Sequence, residues 1–543
     1  MHTKSLRTWK DYSPCEICLV NPPWITKKDD IWHGIKAAMP PIGLLSIASY
    51  LEAQGMEVAI IDAHVEKLSP LDLKKRIAQL HPRMVGITVM TATVGQAHLI
   101  AKLVKESVPA ATVVMGGVHA TVLPEECLSN RAVDIVVRGD GEFTFHHLCE
   151  AILNDSEYDN LSGISFRRAD GDGLRVINNR PAAVIRDLNQ LPMPGYHLVP
   201  LHRYYPAMGA YRRLPAINML MTRGCPGNCS FCNSARTPLR TRDAELVVNE
   251  IIKLQKQYGI REIQFYDDTF TINRNNVLKF CALIKEKKLD ITWTAFVRVD
   301  TINIRMVRAM KEAGCHQFSF GIESGDQEIL KKIGKPIQLG QTLEAVRMVS
   351  EAGIEVRAAF IYGCEGETVA SMQKTLDFAI ELDPDLAMFN IATPNPGTRL
   401  YRWAKENGYL MHENWSEYEL GNPVINLPTV SPEKIVEFYQ KSYKIFYRRP
   451  KIMWKRIRKA STLSHWLDMI KAFFFIMLRW KLGTRGDVRN GWTTLGKEDL
   501  FDYPFYQAGH LQVPLSGKSS IGVYPNTGSR CVSSVGRKDS KFA

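Results

Sequence analysis

Residues 224–233 read GCPGNCSFCN, three cysteines in the spacing C-x3-C-x2-C with no fourth beside them. Metal sites built wholly from protein close with four ligands, so a triplet is either an incomplete set or a set that leaves one position open. A zinc site would need another Cys or His, yet the next cysteine is Cys281 and no histidine lies between His202 and His316. A distant Cys315 or Cys364 remains the zinc alternative. An ordinary electron-carrying 4Fe-4S cluster meets the same shortage, whereas three thiolates around a cubane leave one iron free to take a small chelating molecule.

The triplet directly follows AINMLMT (216–222), the first of six apolar runs that each precede a helical pattern. The others are EIQFY (262–266), TWTAFVR (292–298), QFSFGIE (317–323), EVRAAFIYG (355–363) and LAMFNIA (386–392). Six strand–helix repeats predict a (β/α)6 partial TIM barrel over 211–410, with reacting groups at the C-terminal ends of its strands. Upstream, EICLVNPP, EVAIIDAH, MVGITVMT, TVVMGGVH and DIVVRGDGE alternate with helix-length spacers from Cys15 onward. That pattern predicts a doubly wound, Rossmann-like parallel-sheet domain over 15–152, the chain as a whole being α/β. Ligands of such sheets sit beyond the strand ends, here 21–24, 88–92, 116–119 and 138–142. Gly116 and Gly117 either admit a bulky ligand close to backbone or only make a turn. Residues 1–14 read as a tail and 153–210 as a linker with a small β excursion around RRADGDG. Residues 411–483 read as a helical, basic region and 484–543 as a poorly ordered tail.

Eleven cysteines in 543 residues are too few for a disulfide scaffold, and the N-terminus lacks an apolar core with a cleavage site, so a cytoplasmic location is expected. The net charge of +13 is all C-terminal: 21 Lys and Arg against 8 Asp and Glu follow Val430, with 48 of each sign before it. A neutral body speaks against a nucleic-acid partner. The basic aromatic segment 438–483 holds no apolar run longer than AFFFIML, too short to span a bilayer. It reads as a cap packed on the barrel or as an interfacial helix touching a membrane surface. RGD at 485–487 is short enough to be chance.

With Phe231 just before its last cysteine, the triplet Cys225, Cys229, Cys232 resembles the C-x3-C-x-aromatic-C signature of the radical S-adenosylmethionine superfamily. That resemblance implies a 4Fe-4S cluster whose open iron is chelated by S-adenosylmethionine, reductive cleavage to a 5′-deoxyadenosyl radical, and an external one-electron donor such as flavodoxin or ferredoxin. Under it, Tyr266, Asp267 and Asp268 of YDDTF meet the methionine amino group, Asp268 foremost. Arg298 pairs the carboxylate, and Glu323 and Ser324 of GIES lie near the ribose. A barrel-top salt bridge or cap is the bland alternative for each.

The upstream domain, with PPIGLLSIASYLEAQG, VMGGVHATVLPEE and DIVVRGDGE, resembles that of the superfamily's cobalamin-binding branch, the resemblance covering about 15–410. It implies that cobalamin lies along Thr88, Val89, Met90, Thr91, Gly116, Gly117 and His119. DAHVEK (62–67) begins like the D-x-H-x-x-G motif that supplies a lower cobalt ligand, but Lys67 replaces the glycine and the motif follows the second strand, so it is read as a decoy. The resemblance implies methyl transfer to an unactivated carbon or phosphorus of a small-molecule or lipid-like intermediate. Oxidative cyclisation or rearrangement, as in the anaerobic magnesium-protoporphyrin ester cyclase, is the second reading, and a non-catalytic cobalamin or redox sensor the third. A methylthiotransferase is disfavoured, because Cys15, Cys18 and Cys127 lack the spacing of a second cluster.

Overall fold

The computed structural model describes residues 7–25, 37–170, 173–207 and 209–459. The expected 484–543 tail, the RGD and the segment beyond Lys459 lie outside the described residues.

The first sheet begins with five parallel strands, β1 (Ile17–Asn21), β2 (Val58–Asp62), β3 (Met84–Thr88), β4 (Thr112–Gly116) and β5 (Ile135–Val137), in the order β2-β1-β3-β4-β5. Strands such as VAIID are buried at every position, as expected of a sheet covered on both faces. Its helices are α1 (Ile42–Ala53), α2 (Pro70–Leu80), α3 (Val94–Ser107), α4 (Val118–Val122), α5 (Pro124–Ser129) and α6 (Gly141–Leu153). Local signals place them: Ser69 and Asp72 form a capping box at α2, with Pro70 at its first position. Strand order reverses between β1 and β3, which opens a crevice at their carboxyl ends. The β excursion is part of this sheet. Strands β6 (Ile164–Asp170) and β7 (Gly173–Asn178) add antiparallel to β5, because Ile164 and Phe166 bury their side chains in the same core.

Strands β8 (Ala216–Met219), β9 (Thr222–Arg223), β10 (Arg240–Thr241), β11 (Glu262–Phe265), β12 (Thr292–Val297), β13 (Cys315–Glu323), β14 (Glu355–Tyr362) and β15 (Leu386–Ile391) follow. Six of them form an all-parallel sheet, β8-β11-β12-β13-β14-β15, and β9 pairs with β10 as a short antiparallel ribbon. Helices α7 (Ala244–Tyr258), α8 (Arg274–Glu286), α9 (Ile304–Glu312), α10 (Gln327–Lys332), α11 (Leu339–Glu351) and α12 (Val369–Leu382) intervene. This is the expected open (β/α)6 barrel. Alternate residues face the helices, where Phe265, Phe270, Phe280 and Trp293 interlock at ring separations from 4.6 to 6.1 Å. Their neighbours Gln264, Tyr266, Thr294 and Phe296 therefore line the inner face.

After α13 (Arg399–Glu406), helices α14 (Pro432–Tyr447) and α15 (Pro450–Lys459) complete the described chain. Helix α14 packs on the edge strand β15. The Tyr443 hydroxyl donates to Phe389 O at 3.0 Å and that of Tyr447 to Ala387 O at 2.7 Å, so backbone that an open barrel leaves unpaired is satisfied. The beginning of the basic aromatic segment is thus a barrel cap.

Candidate functional site

The three cysteines sit on the loop 224–239 that joins β9 to β10 at the carboxyl end of the barrel. Gly224 turns the chain out of β9 with φ +90°, and a Cβ there would lie 2.1 Å from Pro238 O, so only glycine fits. The loop is held by backbone bonds: Ser230 N donates to Ile333 O at 2.7 Å, Leu400 N to Ser230 O at 2.8 Å and Thr237 N to Cys225 O at 3.1 Å. Among the ten described cysteines, all free, Cys225, Cys229 and Cys232 alone are half-buried, and the other seven are fully buried. Cys315, packed in the core beside Cys281, and Cys364, just past β14, are each 1% exposed, and neither lines the cavity on which Cys225 opens.

Cys225 opens on a cavity of about 610 Å³ shared with Arg298, Asp300, Lys335 and Gln338, within the size range of small-molecule sites. Arg298 ends β12 and holds Asp300 in two bonds, Nε to Oδ1 at 3.0 Å and Nη2 to Oδ2 at 2.7 Å. Lys335 donates to Glu323 at 2.7 Å. Burial pushes the Cys229 thiol up, opposed by the positive charges of Lys335 and Arg298 and reinforced by Glu323. Burial also pushes up Cys232, whose neighbours include the other two thiols and Asp268. Lys335 and Arg298 thus pull Cys229 toward the thiolate, the form that ligates metal, against a larger opposing effect of burial. Three free thiols on one loop, with Cys225 opening on a cavity that Arg298, Lys331 and Lys335 also line, fit an iron–sulfur cluster with a carboxylate-bearing ligand.

The remaining expected residues divide. Tyr266 lines the barrel mouth, 38% exposed, with its ring edge-on to Phe296 at 5.8 Å and its hydroxyl donating to Gln264. Asp268 is exposed and accepts from Gly224 N at 3.2 Å. Asp267 is fully buried and accepts from the backbone N–H groups of Met221 and Thr222, so it supports the strand leading into the cysteine loop. Burial raises its carboxyl to about 7. Glu323 is committed to Lys335. Ser324 lies buried between Thr375 Oγ1 and Asp326 N. Phe231 packs on the barrel core. Lys335 and Asp300 were not legible in sequence, because KKIGKP and RVD read as ordinary charged helix and strand ends.

On the first sheet, Thr88, Met90, Gly116 and Gly117 reach the surface, whereas Val89, Thr91 and His119 are buried. Gly117, at φ +103°, brings its backbone against Val89, where a Cβ would lie 2.8 Å from the carbonyl. Val89 N donates to Gly116 O at 2.7 Å, so the two loops are zipped together. His119 faces Thr91 at 3.3 Å and packs edge-on against Trp415. Trp24, Met90 and Val118, at the ends of the adjacent strands β1, β3 and β4, stay 46, 57 and 51% exposed. A row of exposed apolar side chains at a switch-point crevice fits a large, partly apolar ligand such as a corrinoid. Asp62 holds His64 N and Val65 N at 3.1 Å and receives the Tyr204 hydroxyl at 2.7 Å, so DAHVEK is a turn tied to the core.

The family model described as the Radical SAM superfamily matches residues 219–379, and that described as the B12 binding domain matches residues 31–149. The chain is 38% identical to an uncharacterised methyltransferase of Pyrococcus horikoshii, over 81% of this chain and 94% of that protein. It is 28% identical to the anaerobic magnesium-protoporphyrin IX monomethyl ester cyclase of Cereibacter sphaeroides, over 76% of this chain and 68% of the relative. The solved structure of the radical S-adenosylmethionine methyltransferase TsrM of Kitasatospora setae shares the fold, with a TM-score of 0.59 and 21% identity, over 73% of this chain and 77% of that one. With a barrel carrying three unpaired thiols behind a doubly wound domain, the chain belongs to the cobalamin-binding branch of the radical S-adenosylmethionine superfamily, enzymes that work with a 4Fe-4S cluster, S-adenosylmethionine and cobalamin.

Proposed function

We propose that this enzyme transfers a methyl group to an unactivated carbon or phosphorus of a small-molecule or lipid-like biosynthetic intermediate. The observation that carries the reading is the similarity to a methyltransferase over nearly that protein's whole length, together with a thiol triplet whose Cys225 opens on the cavity. When bound, the cluster and S-adenosylmethionine supply hydrogen-atom abstraction, and cobalamin supplies the methyl group.

The chain's own residues bind, orient and shield. Cys225, Cys229 and Cys232 hold the cluster as thiolates. Arg298, set in plane by Asp300 through Nε and Nη2, offers its remaining Nη1 to a methionine carboxylate, with the Lys335–Glu323 pair beside it. Asp268 anchors Gly224 and offers its second oxygen to an amino group. Tyr266 and Phe296 present aromatic surface inside the barrel, which suits an apolar substrate and keeps water from a reactive centre. Trp24, Met90, Val118, Thr88 and the 116–117 backbone form the corrinoid cradle. His119, Val89 and Thr91 support it from beneath.

Anaerobically reconstituted protein is expected to cleave S-adenosylmethionine to 5′-deoxyadenosine, and Cys229→Ala to abolish this. Full cleavage by the alanine variant sinks the ligand assignment. Similarity to the ester cyclase favours oxidative cyclisation as the second reading. A product heavier by one methyl, labelled from CD3-S-adenosylmethionine, separates the two. A membrane contact of the basic C-terminal segment is tested by liposome flotation against a version ending at Lys459, which keeps the α14 cap.

A further inference from the structure

The cysteine loop begins and ends on arginines, and both are held by the other domain. In the β9–β10 ribbon, Arg223 pairs directly with Arg240, so residues 224–239 leave from one and return to the other. Two like charges side by side on a ribbon repel unless anions intervene. The anions come from RGDGE (138–142), which runs from the end of β5 into the first turn of α6. Arg223 Nη2 donates to Glu142 Oε1 at 2.6 Å and its Nη1 lies 3.8 Å from Asp140 Oδ1. Arg240 Nη1 donates to Asp140 Oδ2 and, at 3.2 Å, to Ile185 O. Ser46 of α1 joins Glu142 at 2.7 Å and accepts from Arg223 at 3.1 Å. The Glu142 side chain is 3% exposed, and a carboxylate this deeply buried is stable only with its cation.

We propose that Asp140 and Glu142 are positioning residues that hold both ends of the cysteine loop, so that the B12-binding domain sets the register of the three thiols. Buried charge pairs are intolerant of small displacements, and a loop fixed at its base by a neighbouring domain moves with that domain. One carboxylate, Asp140, touches both arginines, so shifting α6 shifts both ends together. The consequence for cluster binding rests on the ligand role proposed above for the triplet; the consequence for loop order does not.

Hydrogen–deuterium exchange of the full, iron-free chain reads the loop directly. Glu142→Gln is expected to raise exchange across 224–239 about tenfold, the scale of one lost charge-assisted hydrogen bond, with β11–β15 unchanged, and to lower iron retained after reconstitution. Asp140→Asn, at a half-buried site, is expected to act in the same direction and serves if the Glu142 variant folds poorly. Unchanged loop exchange in the variants overturns the proposal, as does a rise spread evenly through the barrel. Cys229→Ala is expected to keep wild-type exchange in the iron-free state while losing iron. If it retains full iron, the ligand reading fails and the positioning role stands.

Discussion

Lys335 donates a 2.7 Å hydrogen bond to Glu323 with both side chains more than nine-tenths buried, beside Cys229 at the mouth of the barrel. Glu323 adopts φ +70° where β13 breaks register, and its carboxylate passes over Gly321, where a Cβ would lie 2.3 Å away. Removing one partner leaves a buried charge unopposed. Lys335→Met is expected to cost about 3–5 kcal/mol in urea denaturation, and Lys335→Met with Glu323→Gln to recover most of that. A single variant as stable as wild type contradicts the pairing.

The triplet differs from the buried cysteines in access. Native, iron-free protein treated with iodoacetamide at pH 9 is expected to be labelled at Cys225, Cys229 and Cys232. Cys15, Cys18, Cys127, Cys149, Cys281, Cys315 and Cys364 are expected to react only after denaturation, since each is buried out of reach of the reagent. Peptide mass mapping decides it.

Gly224→Ala tests the turn into the loop. The left-handed backbone and the 2.1 Å approach to Pro238 O both oppose a side chain. A stability loss of about 2 kcal/mol or more is expected, with iron incorporation reduced further than in an alanine variant at the open Gly340, where nothing lies within 4 Å.

Glu367, on the segment between β14 and α12, is fully buried with Oε2 unpartnered, and burial lifts its carboxyl from the ordinary 4.5 to about 7. The folded state therefore keeps a proton that the unfolded chain has released between these values, so this group's contribution to stability falls as pH rises through that window. Glu367→Gln removes the dependence. Relative to wild type, the variant is expected to gain up to about 3 kcal/mol between pH 5 and 8 by urea denaturation. A constant difference across that range contradicts the shift.

Much was legible because local patterns carry it. Six apolar runs with helical spacers made the barrel readable in AINMLMT through LAMFNIA, and the apolar run in EVAIIDAH marked a strand that the structure buries at every position of VAIID. The β6–β7 hairpin was read apart from the first sheet, since its polar, turn-rich surroundings hide that Ile164 and Phe166 face the same core. In YDDTF the two aspartates look alike, yet Asp267 turns inward to two backbone N–H groups and Asp268 stays exposed, a difference set by strand alternation and by what packs behind it.

By itself the sequence determined the chemistry available: three thiols at fixed spacing, glycines where the chain must turn left-handed, and the order of strands and helices. Those follow from near neighbours along the chain. Only the tertiary structure decided which side chains meet across it, pairing Lys335 with Glu323 and bringing Asp140 and Glu142, eighty or more residues upstream, to the arginines that bracket the cysteines. Such pairings form when buried charge must find its partner wherever the fold brings one, and no local spacing records that need.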